Sequence, residues 1–354
     1  ANLSPEQIDT VIFGNVLQAG LGQNPARQVG LGAGLSHAST AVTINEVCGS
    51  GLKAIISAAQ AIRLGDAKIV LAGGMENMSL APHLLQQRFA PKNGPVTLVD
   101  SLFNDGLTDA YSQDAMGITA ENIVEKYGFT REEQDAFAVA SQQKAAKAQE
   151  AGRFASEITP VAVFNRKTKS DDFIATDEFI RPNTTLESLA GLKPAFKKDG
   201  TVTAGNASGI NDGAACVIMT TREYATELGL PILATLKGYA EAGVDPSIMG
   251  IGPVPAIQKL VARTRIPLDK VDVFELNEAF AAQSMAVIKD LKIPTEKVNP
   301  FGGAIALGHP IGASGTRIVV TLINALTQLD GKIGVASLCV GGGMGVAIAI
   351  EREQ

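Results

Sequence analysis

The stretch Ala41–Arg63 reads AVTINEVCGSGLKAIISAAQAIR. Its first residues alternate between apolar and polar and predict a strand, whereas Leu52–Arg63 predicts a helix. Cys48 therefore lies in a tight turn before a helix, with glycines on the helix side. Backbone N–H groups and the helix dipole favour negative charge there, so we expect Cys48 to have a lowered pKa and to be a candidate nucleophile. A buried structural cysteine fits this stretch alone equally well.

The composition indicates a globular chain. Its 354 residues suffice for a large core and for two or more domains. With 45% hydrophobic and 19% charged residues, the chain does not have the composition of a disordered protein. The net charge is −6 and no long run of Lys or Arg occurs, so we expect no nucleic acid and no membrane among its partners. Three cysteines, an odd number, argue against a disulfide framework and predict a cytoplasmic location.

The first residues do not resemble the beginning of a protein. There is no Met, and Ala1–Ile8 looks like an internal segment. We therefore expect that upstream sequence is absent from this chain.

The order of the predicted elements indicates an α/β protein with an insertion. Residues 67–72 form a second apolar strand, and such strand–helix–strand units predict a parallel sheet covered by helices. From Ser79 to about Gly205 the chain is more polar and irregular, which predicts an inserted subdomain. We therefore divide the chain into a first half (residues 1–78 plus 211–230), an insertion (79–210) and a second half (231–354). A faint internal repeat suggests that the two halves are similar and share a core.

Two further residues lie in surroundings suited to catalysis. His309 lies in a loop of small residues before a predicted helix, where its charge is easily tuned, although a hydrogen-bonded loop histidine is the alternative. Cys339 ends a strand and meets three glycines, whose bare backbone makes an oxyanion pocket possible. Cys216 lies within a strand and is predicted to be structural. His37 and His83 are predicted to be solvent or packing residues.

The spacing of these groups argues against other kinds of site. Neither CxxC nor HxxxH occurs, so we expect no metal. The glycines after Cys48 lack the GxGxxG pattern of a dinucleotide site, and there is no P-loop. Two thiols and one histidine instead support acyl transfer. One thiolate would take the acyl group, the second thiol would move a proton, and the histidine and backbone N–H groups would hold the oxyanions.

The same residues lie in segments that resemble the motifs of the thiolase family. The segments occur in family order over the whole chain, at 45–51 (NEVCGSG), 73–79 (GGMENMS), 203–213 (TAGNASGINDG), 277–280 (NEAF), 308–312 (GHPIG) and 339–343 (CVGGG). The branch that condenses acetyl-CoA is most similar. The resemblance implies an α/β thiolase fold, in which two similar βαβαβ halves form a five-layered αβαβα core with an inserted loop subdomain.

The resemblance implies a role for each catalytic position. Cys48 would carry the acetyl group as a thioester, and Cys339 would be the general acid/base that deprotonates the second acetyl-CoA. His309 would activate Cys48 and help to bind the thioester oxygen of the second substrate. Asn277 would hold a water that completes this first oxyanion hole. The backbone N–H groups of Cys48 and Gly341 would form the second hole. No metal or redox cofactor is expected.

The resemblance also implies that coenzyme A binds on the inserted subdomain. The positions that match contacts to its pantetheine or nucleotide are Arg181, Ser188, Phe196, Ala204 and Ser208. The positions expected to line the substrate cleft are Leu107, Met116, Met249, Ala279 and Phe280. Met116 matches a position that shortens the acyl pocket in acetoacetyl-CoA enzymes.

The chain departs from the family pattern in two places. The family usually has His-Met-Gly where this chain has Ala115-Met116-Gly117. The histidine would contact coenzyme A, so one such contact is not expected here, whereas the catalytic residues are unaffected. Family members also begin with a strand and an Arg-Thr-Pro segment upstream of Ala1. We expect that strand to lie inside the first sheet, so that its absence would leave a hole there.

The activity that the resemblance implies is the reversible condensation of two acetyl-CoA to acetoacetyl-CoA and CoA, in a dimer or tetramer. A degradative 3-ketoacyl-CoA thiolase of broader chain length is the nearest alternative, and Met116 argues against it. A ketoacyl synthase would pair its cysteine with two histidines, whereas this chain has one suitable histidine. An inactive coenzyme-A-binding protein would be expected to lack Cys48, His309 or Cys339, and all three are present.

Overall fold

The computed structural model describes residues 3–89 and 93–353, so residues 1, 2 and 354 of the predicted halves and residues 90–92 of the predicted insertion lie outside the described part. The helices are α1 (Pro25–Gly32), α2 (Ser50–Leu64), α3 (Met116–Tyr127), α4 (Arg131–Glu150), α5 (Leu186–Ala190), α6 (Arg222–Glu227), α7 (Pro253–Thr264), α8 (Ala281–Leu291), α9 (Ala304–Leu307) and α10 (Ser314–Gln328). The strands are β1 (Thr10–Gly14), β2 (Thr40–Ile44), β3 (Ile69–Asn77), β4 (His83–Leu84), β5 (Val99–Asp100), β6 (Val161–Asn165), β7 (Ser170–Ile174), β8 (Asp212–Thr220), β9 (Ala234–Gly243), β10 (Val273–Leu276), β11 (Ile333–Val340) and β12 (Met344–Arg352).

Two mixed sheets repeat one arrangement. The first has the order β2-β1-β3-β8, with β1 parallel to β2 and β3, and with β8 antiparallel to β3. The second has the order β10-β11-β12-β9, with β10 parallel to β11, and with β12 antiparallel to both β11 and β9. Val298 also pairs in parallel with Phe274 of β10, as β2 pairs with β1. The internal repeat in the sequence is therefore confirmed.

The first sheet has no gap among its described strands. Thr10–Gly14 pairs residue by residue with Thr40–Ile44 on one side and with Val70–Gly74 on the other. The expectation of a hole inside this sheet is therefore wrong. The strand that has no described counterpart in the first half is β9, and it pairs at an edge of the second sheet.

Helices α2 and α10 pack against each other between the two sheets. Their apolar side chains are almost fully buried because both faces of each helix meet protein; examples are Leu52, Ile56, Ile318 and Leu322. Helix α1 covers the outer face of the first sheet, and α7 covers the outer face of the second. These layers give the αβαβα order, and the predicted fold class is confirmed. None of the helices in the described part is both long and apolar enough to cross a membrane.

In its described residues, 78–89 and 93–211, the segment between β3 and β8 adds no strand to either large sheet. It contains α3, α4, α5 and the two small sheets β4-β5 and β6-β7. Thr130 caps α4 with a capping box, since its side chain accepts the Glu133 N–H and the Glu133 side chain accepts the Thr130 N–H. The predicted boundaries of the three segments stay a prediction.

Strand β3 runs through its two glycines, beyond the end that the sequence predicts. A Cβ atom at Gly74 would lie 2.1 Å from the carbonyl oxygen of Gly312, and one at Gly73 would lie 2.5 Å from that of Ala215. Only a strand without a side chain at Gly74 lets the loop after His309 touch the first sheet, whereas Gly73 makes room for the neighbouring strands β8 and β1. Gly74 therefore allows the second half to lie against the first at the end of β3.

We expect Gly74→Ala to displace the loop that carries His309. The added methyl must push the Gly312 backbone away, so the free energy of unfolding should fall by about 1–3 kcal/mol, with loss of activity. Gly32→Ala in α1 is the matched control, because its Cβ would meet nothing within 4 Å. The control should gain roughly 0.5–1 kcal/mol from its better helix propensity. Denaturant unfolding of both variants checks this, and equal stability of Gly74→Ala and wild type would contradict it.

Candidate active site

Cys48 is held by a strained turn at the start of α2. The preceding residue, Val47, has φ of 48°, a left-handed conformation that a β-branched residue rarely adopts. The Ser50 hydroxyl fixes this turn, because it accepts the Glu46 N–H at 2.8 Å and donates to the Val47 carbonyl at 2.7 Å. Strain of this kind persists only where the surroundings enforce it and is typical of functional sites.

The Cys48 thiol is buried, and its burial determines its charge. The residue is 9% exposed and packs among apolar side chains that include Val16, Leu17 and Ile311. Burial raises the pKa of Cys48 to about 11, although hydrogen bonds from the backbone of Gly341 and from its own backbone lower it. The prediction of a lowered pKa is therefore wrong. The helix start supplies donors, but desolvation outweighs them, and the resting group is a thiol.

His309 is buried and neutral at rest. Its backbone N–H donates to the Asn211 side-chain oxygen at 3.0 Å, and its Nδ1 lies 2.6 Å from the Ser314 hydroxyl oxygen. The Asn277 side-chain nitrogen lies 3.4 Å from both ring nitrogens, so it stands beside the ring and not in line with either nitrogen. Burial lowers the pKa of His309 to about 3, and the nearby Arg317 lowers it further. The ring can therefore accept a proton only when charge in the cleft balances it.

Cys339 is the last residue but one of β11 and is fully buried. It packs in a cluster with Met249, Ala279 and Phe280, and the partly buried Met116 lies against the same cluster. Burial raises the pKa of Cys339, and charge on Cys48 raises it further. The two thiols are therefore close enough to interact, and two thiolates at once are disfavoured.

The other positions that the resemblance assigned to catalysis and to the substrate cleft lie around these groups. Asn277 follows β10 and is 1% exposed, and its side-chain oxygen has no partner among the described residues. A methyl group at Gly341 would lie 3.8 Å from the Met116 sulfur. Leu107 packs against the cluster that holds Cys48. The structure thus brings Cys48 to Gly341 and Cys339, and Asn277 to His309. Their roles in the reaction stay a prediction.

A cavity of about 350 Å³ opens in the inserted segment. Three of the five predicted coenzyme A contacts, Arg181, Ser188 and Ala204, line it. Phe196 and Ser208 do not. Phe196 packs edge-on against Phe280, with ring centroids 6.1 Å apart, and the Ser208 N–H donates to the Ala279 carbonyl. These two therefore lie beside the Cys339 cluster.

The other thiol and the other histidines stand apart. Cys216 lies in β8 as predicted, but it is exposed on this edge strand, so the prediction of a structural cysteine in the core is wrong. All three cysteines are free thiols. His37 and His83 are both exposed. Within residues 3–89 and 93–353, no group of three or more His, Cys, Asp or Glu side chains could hold a metal ion.

The support that Glu76 gives to the site is not among the features that the sequence predicts. Its buried carboxylate accepts the backbone N–H groups of Val16, Leu17 and Gly312 at 2.9–3.1 Å, and also the side-chain amide of Asn15. It thereby ties the wall of the Cys48 pocket to the His309 loop. A carboxylate at the end of a buried strand was the available signal.

Two family models match the chain. Thiolase, N-terminal domain matches residues 1–223, and Thiolase, C-terminal domain matches residues 230–352. The chain belongs to the thiolase family. The resemblance seen in its motifs is confirmed.

Relatives of known name are similar to this thiolase over nearly its whole length. An acetyl-CoA acetyltransferase of Cupriavidus necator is 57% identical over 100% of this chain and 90% of its own. A probable acetyl-CoA acyltransferase of Staphylococcus aureus is 56% identical, and the match covers 99% of this chain and 89% of that protein. The solved structures of the Bacillus anthracis acetyl-CoA acetyltransferase and of human mitochondrial 3-ketoacyl-CoA thiolase superpose with TM-scores of 0.96 and 0.95. Their identities are 47% and 45%, and each match covers 99% of this chain and 89% of the other.

The raised pKa of Cys48 predicts how this thiolase reacts with an alkylating reagent. Only the thiolate reacts, so the rate of iodoacetamide labelling at Cys48 should still rise with pH at pH 10. The exposed Cys216 should react faster at neutral pH, so the experiment uses a Cys216→Ser background and follows the peptide that carries Cys48 by mass spectrometry. A rate that levels off below pH 8 would mean that Cys48 rests as a thiolate.

Proposed function

We propose that this thiolase is an acetyl-CoA C-acetyltransferase, which condenses two acetyl-CoA to acetoacetyl-CoA and CoA and runs in both directions. One observation carries the proposal. Two buried thiols, Cys48 and Cys339, come from the two halves of the chain and lie close enough for their charges to interact, and the Gly341 N–H donates to Cys48. The loop that carries the buried, neutral His309 packs against the Cys48 cluster through Ile311. The relatives named acetyl-CoA acetyltransferase support the choice of substrate.

The first half-reaction moves an acetyl group to Cys48. His309 takes the thiol proton on the ring nitrogen that Ser314 does not occupy, and the thiolate attacks the carbonyl carbon of acetyl-CoA. The backbone N–H groups of Cys48 and Gly341 stabilise the oxyanion that forms. The bond from the acetyl carbon to the CoA sulfur breaks, and the CoA thiolate leaves with the proton of Cys339. Acetyl-Cys48, a protonated His309 and a Cys339 thiolate remain.

The second half-reaction returns every proton. The Cys339 thiolate takes a methyl proton from a second acetyl-CoA, and the enolate oxygen is held by protonated His309 and by a water bound to Asn277. The enolate carbon attacks the acetyl group, a carbon–carbon bond forms, and the bond to the Cys48 sulfur breaks. Cys48 then recovers its proton from His309. The opposite charges on His309 and Cys339 lower the cost of having either in a buried cleft. No metal or redox cofactor takes part in this cycle.

The proposal places coenzyme A in the cavity of about 350 Å³, where Arg181 adds positive charge to an acidic chain. Met116, beside Gly341, would restrict the acyl group to a short chain.

The proposed assembly is a homo-oligomer, a dimer or tetramer. Its support is the hairpin β6-β7, which exposes Val161, Phe164 and Phe173 by 61%, 62% and 71%. We also propose a cytoplasmic location, for which three free thiols are the support.

The test is thiolysis of acetoacetyl-CoA by CoA, followed as the absorbance of the substrate falls. A long-chain 3-ketoacyl-CoA is measured beside it, and Cys48→Ala is the control. We expect turnover of acetoacetyl-CoA alone, and loss of roughly 100-fold or more in the control, since the nucleophile is gone.

The other outcomes separate the alternatives. Similar rates on both substrates would assign the chain to the broad-range 3-ketoacyl-CoA thiolases. The similarity to the structure of human mitochondrial 3-ketoacyl-CoA thiolase supports this alternative. Binding of CoA without turnover would indicate an inactive coenzyme-A-binding protein. Full activity of Cys48→Ala would contradict the proposed nucleophile.

A further inference from the structure

Ser314 is the one side chain in the described part that bonds a single ring nitrogen of His309. It is the first residue of α10 and is fully buried. Its hydroxyl oxygen lies 2.6 Å from His309 Nδ1 and 2.9 Å from the Pro310 carbonyl oxygen. Asn277 is equally far from both ring nitrogens and therefore does not distinguish them.

A hydroxyl has one proton, so its two bonds fix each other's direction. The Pro310 carbonyl can only accept. When Ser314 donates to it, the hydroxyl oxygen is left to accept a proton from His309 Nδ1. A neutral imidazole carries one N–H, so Nε2 is then bare. If Ser314 donated to Nδ1 instead, Nε2 would carry the proton and could not act as a base.

The other half of the molecule indicates which direction holds. Ser50 is the first residue of α2, as Ser314 is of α10. Its hydroxyl accepts from the backbone N–H of Glu46, which can only donate, and therefore donates to the Val47 carbonyl. The repeated serine at the start of each central helix thus accepts from a residue of the preceding loop and donates to a loop carbonyl. In the second half, the loop residue is His309.

We infer that Ser314 is a positioning residue that holds His309 in the tautomer with a proton on Nδ1 and a bare Nε2. This inference rests on the proposed function for its consequence, though not for its geometry. The bare Nε2 is the nitrogen that takes the Cys48 proton. When His309 is protonated, Nδ1–H still donates to Ser314, so the same contact serves both charge states. The arrangement resembles the orienting member of a catalytic triad, with a neutral hydroxyl in place of a carboxylate.

The tautomer can be measured without substrate. Protein labelled with ¹⁵N in the histidine rings is studied as a sedimented solid at neutral pH, where a protonated and a bare ring nitrogen give well-separated signals. The chain has three histidines, of which His309 is buried. His37 and His83 are exposed, so their ring-nitrogen signals average over both tautomers and serve as references. We expect a protonated Nδ1 and a bare Nε2 for His309. A protonated Nε2 in the wild type would overturn the inference.

Ser314→Ala tests the role of the hydroxyl. In this variant the Pro310 carbonyl still accepts the backbone N–H groups of residues 313 and 314, so only Nδ1 of His309 loses its hydrogen-bond partner. We expect a mixture of tautomers and a fall of roughly 10- to 100-fold in the rate of Cys48 acetylation. Ser101→Ala is the matched control, because it removes another buried serine hydroxyl that donates to a proline carbonyl, Pro82. Its His309 signals should equal those of the wild type.

The outcomes separate this inference from the proposed function. An unchanged tautomer in Ser314→Ala would overturn the inference even if the enzyme is active. A wild type with the expected tautomer but no thiolase activity would support the inference about geometry and contradict the proposed function.

Discussion

Desolvation of the cleft between the two halves is the constraint on which the rest of the site depends. Burial keeps Cys48 and Cys339 as thiols and His309 as a neutral ring, although hydrogen-bond donors and a helix start lie beside them. In the proposed cycle, charge therefore forms only when substrate arrives, as an opposite pair on His309 and Cys339. A dry cleft strengthens each of the interactions that then form.

The fold makes such a cleft by joining two copies of one α/β unit through their central helices. Each copy begins its central helix with a serine that fixes the preceding loop, and each loop carries a reactive group, Cys48 or His309. The bare backbone of β3 at Gly74 lets the second loop touch the first sheet, and Glu76 binds N–H groups from both sides. The strained turn at Val47 is held by the two hydrogen bonds of the Ser50 hydroxyl.

The sequence predicts most of the fold because each element has a strong local pattern. The strand, glycine turn and helix around Cys48 are visible in residues 41–63, and the capping box of α4 is visible in four residues. The direction in which the pKa of Cys48 shifts is not visible there, because the burial of Cys48 is decided by residues distant in sequence, such as Val16 and Ile311. The exposure of Cys216 follows from the edge position of β8. The role inferred for Ser314 follows from its hydrogen bond to His309, five residues earlier in the chain. These are properties of packing and not of local pattern.

The measurement that tests the account most directly locates the acetyl group. The enzyme is mixed with acetyl-CoA, stopped in acid after short times and digested, and the acetylated peptide is identified by mass spectrometry. We predict acetyl on Cys48 alone, and a rate of acetylation in His309→Ala that is lower by roughly 100-fold or more, since a buried thiol needs a base. Acetyl on Cys339 or Cys216 in the wild type, or an unchanged rate in His309→Ala, would contradict it.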